Sequence, residues 1–185
     1  MFDAQSAFPQ ARMTALTAIF TRRSVRAFSS EPLTDQQVEC LLAAGMAAPS
    51  AGNAQPWEFI LLRDKQLLEK IPAINPYAAF APQAPLGILI CGNTTREKYA
   101  GFWIEDTSAA TQNILLAAHA LGLGACWTGI YPMQERVQGF RQLVGAPEYV
   151  LPMAFVSVGY PRKAVQTSVD RYKSDRVHHN VWGQQ

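Results

Sequence analysis

The sequence predicts an α+β fold in which helices flank a central sheet, and three observations lead to this prediction. Short apolar runs, which are typical of buried strands, are mixed along the chain with segments of helical period. Two helical segments precede the first strand, an order that favours α+β over a regular alternation of strands and helices. The 185 residues, of which 49% are hydrophobic, suffice for one globular core, so we expect residues 1–185 to form a single domain.

The first two helices are predicted by apolar spacing and by a capping pattern. A helix over residues 10–21 carries apolar residues at helical spacing: Met13, Leu16, Ile19 and Phe20. Thr34 and Gln37 fit a capping box, which starts the second helix. Pro49 is expected to end this helix, whose apolar stripe consists of Val38, Leu41, Leu42 and Gly45.

Three further apolar runs predict buried strands: "EFILL" from Glu58, "LGILICGN" from Leu86 and "MAFVSVGYP" from Met153. A short helix, "DKQLLEKI", separates the first two, and another helix is predicted over residues 133–144. The longest helix spans residues 102–121 and is apolar or small on most faces. Such a helix is buried in a core or in an interface, which indicates a dimer.

Composition excludes several classes of function. The formal net charge of +2 is too small and too scattered for a nucleic-acid binder, although it permits a local anion site. No apolar run is long enough to span a membrane, and the N-terminus lacks the pattern of a secretory signal. The three cysteines are far apart, which indicates reduced thiols and a cytoplasmic protein. The adjacent His178 and His179 have no ligand partner at metal-binding spacing, so no metal site is expected.

The stretch "TRRSVRAF" concentrates positive charge near the N-terminus. Arg22, Arg23, Ser24 and Arg26 are suited to clamping a phosphate, because guanidinium groups bind phosphate oxygens in a fork and serine adds a neutral donor. The alternative is a solvated basic helix end that complements the helix dipole. In the tail, Arg171 and Lys173 are either a second half of the phosphate site or a solvated charge run.

The stretch "AAPSAGNAQPWEFILL" places small residues and two amides directly before a strand. Small residues leave the backbone open to a flat ligand, and Asn53 and Gln55 offer amide donors and acceptors. The alternative is a plain surface turn. The stretch "GLGACWTG" does not fit a dinucleotide fingerprint, because a helix precedes it and Trp127 replaces the third glycine. Instead we expect Gly122 to cap the long helix before a strand begins.

Taken together, "RRSVRAF", "APSAGNAQPWEF", "DTSAATQNILLAAHALGLGACWTG" and "VSVGYP" with a basic tail resemble the FMN-dependent nitroreductase family over residues 12–182. The resemblance implies an α+β dimer with a central, mostly antiparallel sheet and two FMN sites, each built from both subunits. It also implies that NAD(P)H reduces FMN, which then reduces a second substrate. The segment 160–185 is then expected to wrap the partner subunit.

The resemblance also implies roles for individual residues. Arg22, Arg23, Ser24 and Arg26 match the basic segment around the phosphate and the pyrimidine side of the ring. The loop that the partner lays against the flavin is matched by Pro49, Ser50, Ala51, Asn53 and Gln55. Thr128 and Gly129 match the turn whose backbone N–H faces flavin N5, where many members carry Glu-Gly. Arg171 and Lys173 match the C-terminal phosphate ligands.

No side-chain acid, base or nucleophile accompanies these motifs, so we expect the flavin to carry the hydride chemistry at N5. One pocket used in turn by NAD(P)H and by a flat acceptor, such as a nitroaromatic or a quinone, predicts ping-pong kinetics. The alternatives are a flavin carrier or sensor without turnover, or a family member that fragments flavin or dehalogenates its substrate.

Overall fold

This computed structural model describes residues 13–164 and 170–184. The described residues contain five α-helices and four strands. The helices are α1 (Ala15–Thr21), α2 (Asp35–Met46), α3 (Lys65–Ile74), α4 (Trp103–Ala120) and α5 (Gln134–Val144). The strands are β1 (Trp57–Leu62), β2 (Leu86–Asn93), β3 (Gly124–Gly129) and β4 (Val150–Gly159). Short 3-10 turns lie at Ala51–Asn53, Pro76–Ala78, Ala81–Gln83 and Ser174–Arg176. Residues 10–12 of the first predicted helix lie outside the described residues.

The strands form one sheet in the order β1-β2-β4-β3, and every neighbouring pair is antiparallel. The predicted α+β class with an antiparallel sheet flanked by helices is therefore confirmed. β1 and β3 are the two edge strands, and they lie roughly 14 Å apart, which is three strand spacings.

Helices cover both faces of the sheet, because side chains along a strand point alternately to opposite sides. Ile88 and Ile90 of β2 pack into a cluster with α2 and α4, whereas Leu89 and Cys91 pack into a cluster with α3 and α5. A strand buried on both faces reads as a continuous apolar run, and every residue of β2 is buried.

The helix boundaries differ from the predicted ones where local capping decides them. α1 begins at Ala15 because the Thr14 hydroxyl accepts a hydrogen bond from the N–H of Thr17 at 3.1 Å. Both bonds of the predicted capping box of α2 are present, between Thr34 and Gln37. α2 nevertheless ends at Met46, before Pro49, and β4 begins three residues before Met153.

One face of α4 is buried and the other is partly exposed in this single chain. The buried residues recur at helical spacing and include Ala110, Ile114 and Ala118, whereas Ala109, Leu116 and Ala117 are half-buried. The small apolar residues on the outer face are thus available for a further contact. Within the described residues, none of the helices combines the length and hydrophobicity needed to cross a bilayer.

Candidate functional site

The basic segment, residues 22–26, is an extended stretch that lies along the outer edge of β3. Ser24 forms a parallel bridge with Ala125, and the N–H of Val25 donates to the carbonyl of Ala125 at 3.0 Å. Gly124 makes this approach possible, because a Cβ there would lie 2.7 Å from the Val25 side chain. Arg22 is the C-terminal cap of α1, and Arg23 Nη1 donates to the carbonyl of Phe20 at 3.0 Å and to that of Arg22 at 2.7 Å, so the first two arginines also close the helix end.

Arg22 lies within electrostatic range of positive charge from the C-terminal tail. Burial lowers the pKa of Arg22, and repulsion from Arg171 and then Arg23 lowers it further. The described ion pairs are Arg63–Asp35 and Arg96–Glu58, so neither Arg22 nor Arg171 has an acidic partner among the described residues. Such a cluster is suited to a bound anion.

The other end of the basic segment turns towards Phe80. The Arg26 guanidinium lies over the Phe80 ring, 6.0 Å from its centroid. Burial raises the pKa of the Cys126 thiol, while Arg26, a hydrogen bond with the Ser24 side chain, and Arg22 oppose that rise. The segment thus presents Arg22 and Arg26 at two points along one edge. Lys173 is exposed, and its described contacts do not join it to this cluster.

The amide loop, residues 49–55, has a constrained backbone. φ is positive at Gly52 (57°), Asn53 (55°) and Gln55 (50°). Positive φ in residues other than glycine is sparsely populated and persists where neighbouring contacts hold it. The Ser50 hydroxyl accepts from the N–H of Gln55 at 3.0 Å, and the Gln55 amide donates to Asn53 Oδ1 at 3.0 Å. These local bonds hold the loop in this backbone conformation.

Asp106 ties the amide loop to α4, a role that the sequence did not reveal. Its Oδ1 accepts from the N–H of Ala51 at 2.8 Å. The residue is 5% exposed, and its Oδ2 is buried without a hydrogen-bond partner among the described residues. Asp106 is in the first turn of α4, where the helix dipole by itself favours a carboxylate. Its position on the buried face of α4, four residues before Ala110, is the signal that was missed.

Thr128 and Gly129 are the last two residues of β3, so the expected turn at this position is wrong. The strand continues because both residues pair with β4, opposite Phe155 and Ala154. The Thr128 side chain is buried, and its hydroxyl donates to the carbonyl of Phe155 at 3.1 Å. It therefore points into the protein.

Gly129 faces the open edge of β3. Its carbonyl accepts from Asn75 Nδ2 at 3.1 Å and from Arg136 Nη1 at 3.3 Å. The carbonyl of Ala125 points to the same edge and accepts from the N–H of Val25. Ala125 and Gly129 are four positions apart, and residues an even number of positions apart direct their carbonyls to the same edge of a strand. No atom lies within 4 Å of a Cβ built on Gly129, so open space adjoins this end of the strand.

The predicted residues therefore fall into two groups on opposite edges of the sheet. The basic segment and Gly129 lie along β3, with Arg171 nearby, whereas the amide loop leads directly into β1. The strands that carry these two groups are separated by the two central strands of the sheet, a spacing of roughly 14 Å. Among the described residues, no group of three or more His, Cys, Asp or Glu is placed to hold a metal ion.

Comparisons with known proteins identify the family of this chain. The nitroreductase family model matches residues 19–79 and 72–160. A Methanothermobacter thermautotrophicus protein named NADH dehydrogenase/NAD(P)H nitroreductase is 44% identical over 171 residues, which cover 92% of this chain and 89% of that protein.

Solved structures show the same fold. A structure described as an NADH oxidase from Clostridium acetobutylicum has a TM-score of 0.86 and 37% identity, covering 89% of this chain and 99% of that one. A Desulfovibrio desulfuricans nitroreductase in complex with FMN has a TM-score of 0.77 and 30% identity, covering 90% and 96%. The chain therefore belongs to the nitroreductase family and has its fold.

Proposed function

We propose that this chain is an oxidoreductase that binds FMN, takes electrons from NADH or NADPH and passes them to a flat, electron-poor acceptor such as a nitroaromatic or a quinone. The observation that carries the proposal is that Arg22 is repelled by Arg171 and that neither has an acidic partner among the described residues. The FMN phosphate, with a charge of about −2, supplies the anion that this cluster lacks. Names of the similar proteins, which include nitroreductases and an FMN complex, support the same cofactor.

The β3 edge accounts for the proposed orientation of the ring. Arg22, Arg23, Ser24, Arg171 and Lys173 would hold the phosphate end. Arg26 lies further along the same edge, where a cation stabilises the negative charge that a reduced flavin gains. The N–H of Gly129 would donate to the ring, in the open space beside it. The bound flavin supplies the hydride chemistry, so we assign no catalytic acid or base to the chain.

We further propose that the active unit is a homodimer in which the amide loop of one copy contacts the flavin of the other. This follows from the roughly 14 Å between the two edge strands, which separates the loop from its own basic segment. Exposed aromatic side chains adjoin the loop, since Tyr99 lies against Gly52 and contacts Phe102. Pro49, Ser50, Ala51, Asn53 and Gln55 would then cover one face of the ring.

The tail is proposed to complete the dimer. Trp182 is 89% exposed in the single chain, which is unusual for so large an apolar side chain and suits a segment 160–185 that wraps the partner. Residues 165–169 and 185 of this segment lie outside the described residues. The single domain and a cytoplasmic location, which suits three free and buried cysteines, belong to the same proposal.

Because one ring face is covered by the amide loop, nicotinamide and acceptor would share the other face in turn. This arrangement predicts ping-pong kinetics, in which the oxidised nucleotide leaves before the acceptor binds. Initial rates measured at several fixed acceptor concentrations should give parallel double-reciprocal lines. Intersecting lines, or a complex with both ligands on one flavin, would contradict the shared pocket.

A further inference from the structure

A cavity of about 190 Å³ adjoins the basic segment on the side of α4. Its polar lining consists of Arg22, Arg23 and His119, and its apolar lining includes Leu115 and Leu123. His119 lies in the last turn of α4, so the C-terminal end of the helix dipole favours a positive charge on it. The role of this histidine is not explained by the proposed flavin contacts above.

The hydrogen bonds around His119 determine which ring nitrogen carries its proton. The Thr21 hydroxyl donates its single hydrogen to the carbonyl of Thr17 at 2.6 Å. The 2.7 Å contact between Thr21 Oγ1 and His119 Nε2 must therefore be a donation from the histidine. Nδ1 of the neutral ring then carries the lone pair, and no described residue bonds to it. Nδ1 is the atom that can take up a further proton.

The charges that face His119 oppose this protonation while no anion is bound. Burial lowers the pKa of His119, and Arg22 and Arg23 of the adjoining segment lower it further. Arg171 of the tail repels Arg22 and so adds positive potential to the same group of residues. The titratable group that β3 contributes nearby is the Cys126 thiol, and its pKa is raised. No acidic side chain is among these described groups. An anion in the cavity would reverse the balance and favour the charged ring.

We infer that His119 is a further ligand of the phosphate bound beside Arg22, and that a proton from solvent binds its Nδ1 as the phosphate dianion enters. The inference rests on the proposed function, because it assigns the dianion to the phosphate of FMN. With the proton on Nδ1, the ring donates to the phosphate through Nδ1 and to Thr21 through Nε2. FMN binding is thereby coupled to uptake of one proton.

The test is an NMR titration of the three histidines of the wild-type dimer, with His178 and His179 of the tail as internal controls. The His119 signal is assigned by its absence in His119→Gln. Without ligand, we expect a His119 pKa below about 6.5. Saturating FMN should raise this pKa by about one unit or more, and inorganic phosphate should raise it in the same direction, whereas riboflavin, which lacks the phosphate, should leave it unchanged.

Affinity supplies a second readout. At about pH 6, His119→Gln should weaken FMN binding about tenfold relative to wild type and leave riboflavin binding within about twofold. Comparing both proteins at each pH cancels the titration of the phosphate itself, and the difference should shrink as the pH rises. Lys70→Gln, which removes a positive charge from an exposed position of α3 on the other face of the sheet, is the control and should bind FMN like wild type.

The outcomes separate the inference from the proposed function. FMN that binds without moving the His119 pKa would overturn the inference and leave the flavin site intact. A shift with inorganic phosphate but not with FMN would assign the cavity to a free anion and overturn the link to the cofactor. Failure of FMN to bind under any condition would contradict the proposed function itself.

Discussion

Replacing Asp106 by alanine removes the acceptor that holds the backbone N–H of Ala51, and the consequences can be worked out from the structure. The bond is 2.8 Å long and Asp106 is 5% exposed, so water does not readily replace the lost oxygen. A hydrogen bond to a charged group contributes about 1.5–3 kcal/mol. For a chain of 185 residues, a loss of about 2 kcal/mol lowers Tm by roughly 4–8 °C.

The same substitution should loosen the amide loop more than the rest of the fold. Asn53 and Gln55 hold positive φ, and conformations of this kind cost about 1–3 kcal/mol each unless the surroundings enforce them. Without its tie to α4, the loop relaxes, and we expect FMN affinity to fall about tenfold. Asp106→Asn is the control, because its amide oxygen can still accept from Ala51.

A double-mutant cycle isolates this bond. Ala51→Pro removes the N–H, and Ser50, with φ −143° and ψ 151°, already has the backbone that a residue before proline prefers. Ala51→Pro should therefore cost about 1.5–3 kcal/mol more in wild type than in Asp106→Ala, measured by urea unfolding of the FMN-free protein. Equal costs in both backgrounds, or unchanged FMN affinity in Asp106→Ala, would refute the role given to Asp106.

The remaining predictions concern the β3 edge and the thiols. Arg22→Ala should weaken FMN binding by about 1.5–3 kcal/mol in a fluorescence titration, and unchanged affinity would remove Arg22 from the site. Gly129→Val should impair turnover, because its side chain fills the open space beside the strand. Thr128→Ala should affect turnover only mildly, because the Thr128 hydroxyl bonds to the carbonyl of Phe155 inside the protein. Equal effects of the two substitutions on turnover would contradict the placement of the flavin at the β3 edge. Burial raises the pKa of Cys91 to about 12, so the thiol of the unfolded chain releases its proton at a lower pH than the folded one. The free energy of unfolding should therefore fall as the pH rises above about 9, by up to roughly 1.4 kcal/mol per pH unit. Urea unfolding over this pH range measures this dependence, which should be weaker in Cys91→Ala than in wild type.

Local signals made much of the fold predictable from the sequence. The capping box at Thr34 and Gln37 involves neighbours in the chain, and both of its bonds are present. The apolar run from Leu86 predicts a strand buried on both faces, because a strand covered on both sides has apolar residues at every position instead of at every second one. The helix ends were less predictable, because a single side-chain hydrogen bond of Thr14 sets the start of α1 and α2 ends three residues before the proline that was expected to stop it.

Long-range contacts explain what the sequence alone did not reveal. Asp106 bonds to a residue 55 positions away, and nothing in its own neighbourhood distinguishes that partner from solvent. The proximity of Arg22 to Arg171 likewise depends on how the tail returns along the fold. The resemblance to a family brought both arginines forward as candidates, whereas His119 is recognised only through the cavity that it lines together with Arg22.

The most direct test of the central claim is an anaerobic titration of the FMN-loaded protein, in which the absorbance of the flavin is followed. We predict that NADH or NADPH bleaches the bound flavin, and that adding a nitroaromatic or a quinone afterwards restores the oxidised spectrum without further nucleotide. The Arg22→Ala variant, reloaded at the same FMN concentration, should show a smaller amplitude because less flavin is bound. A flavin that stays oxidised with both nucleotides, or a chain that releases no FMN on denaturation after loading, would contradict the account.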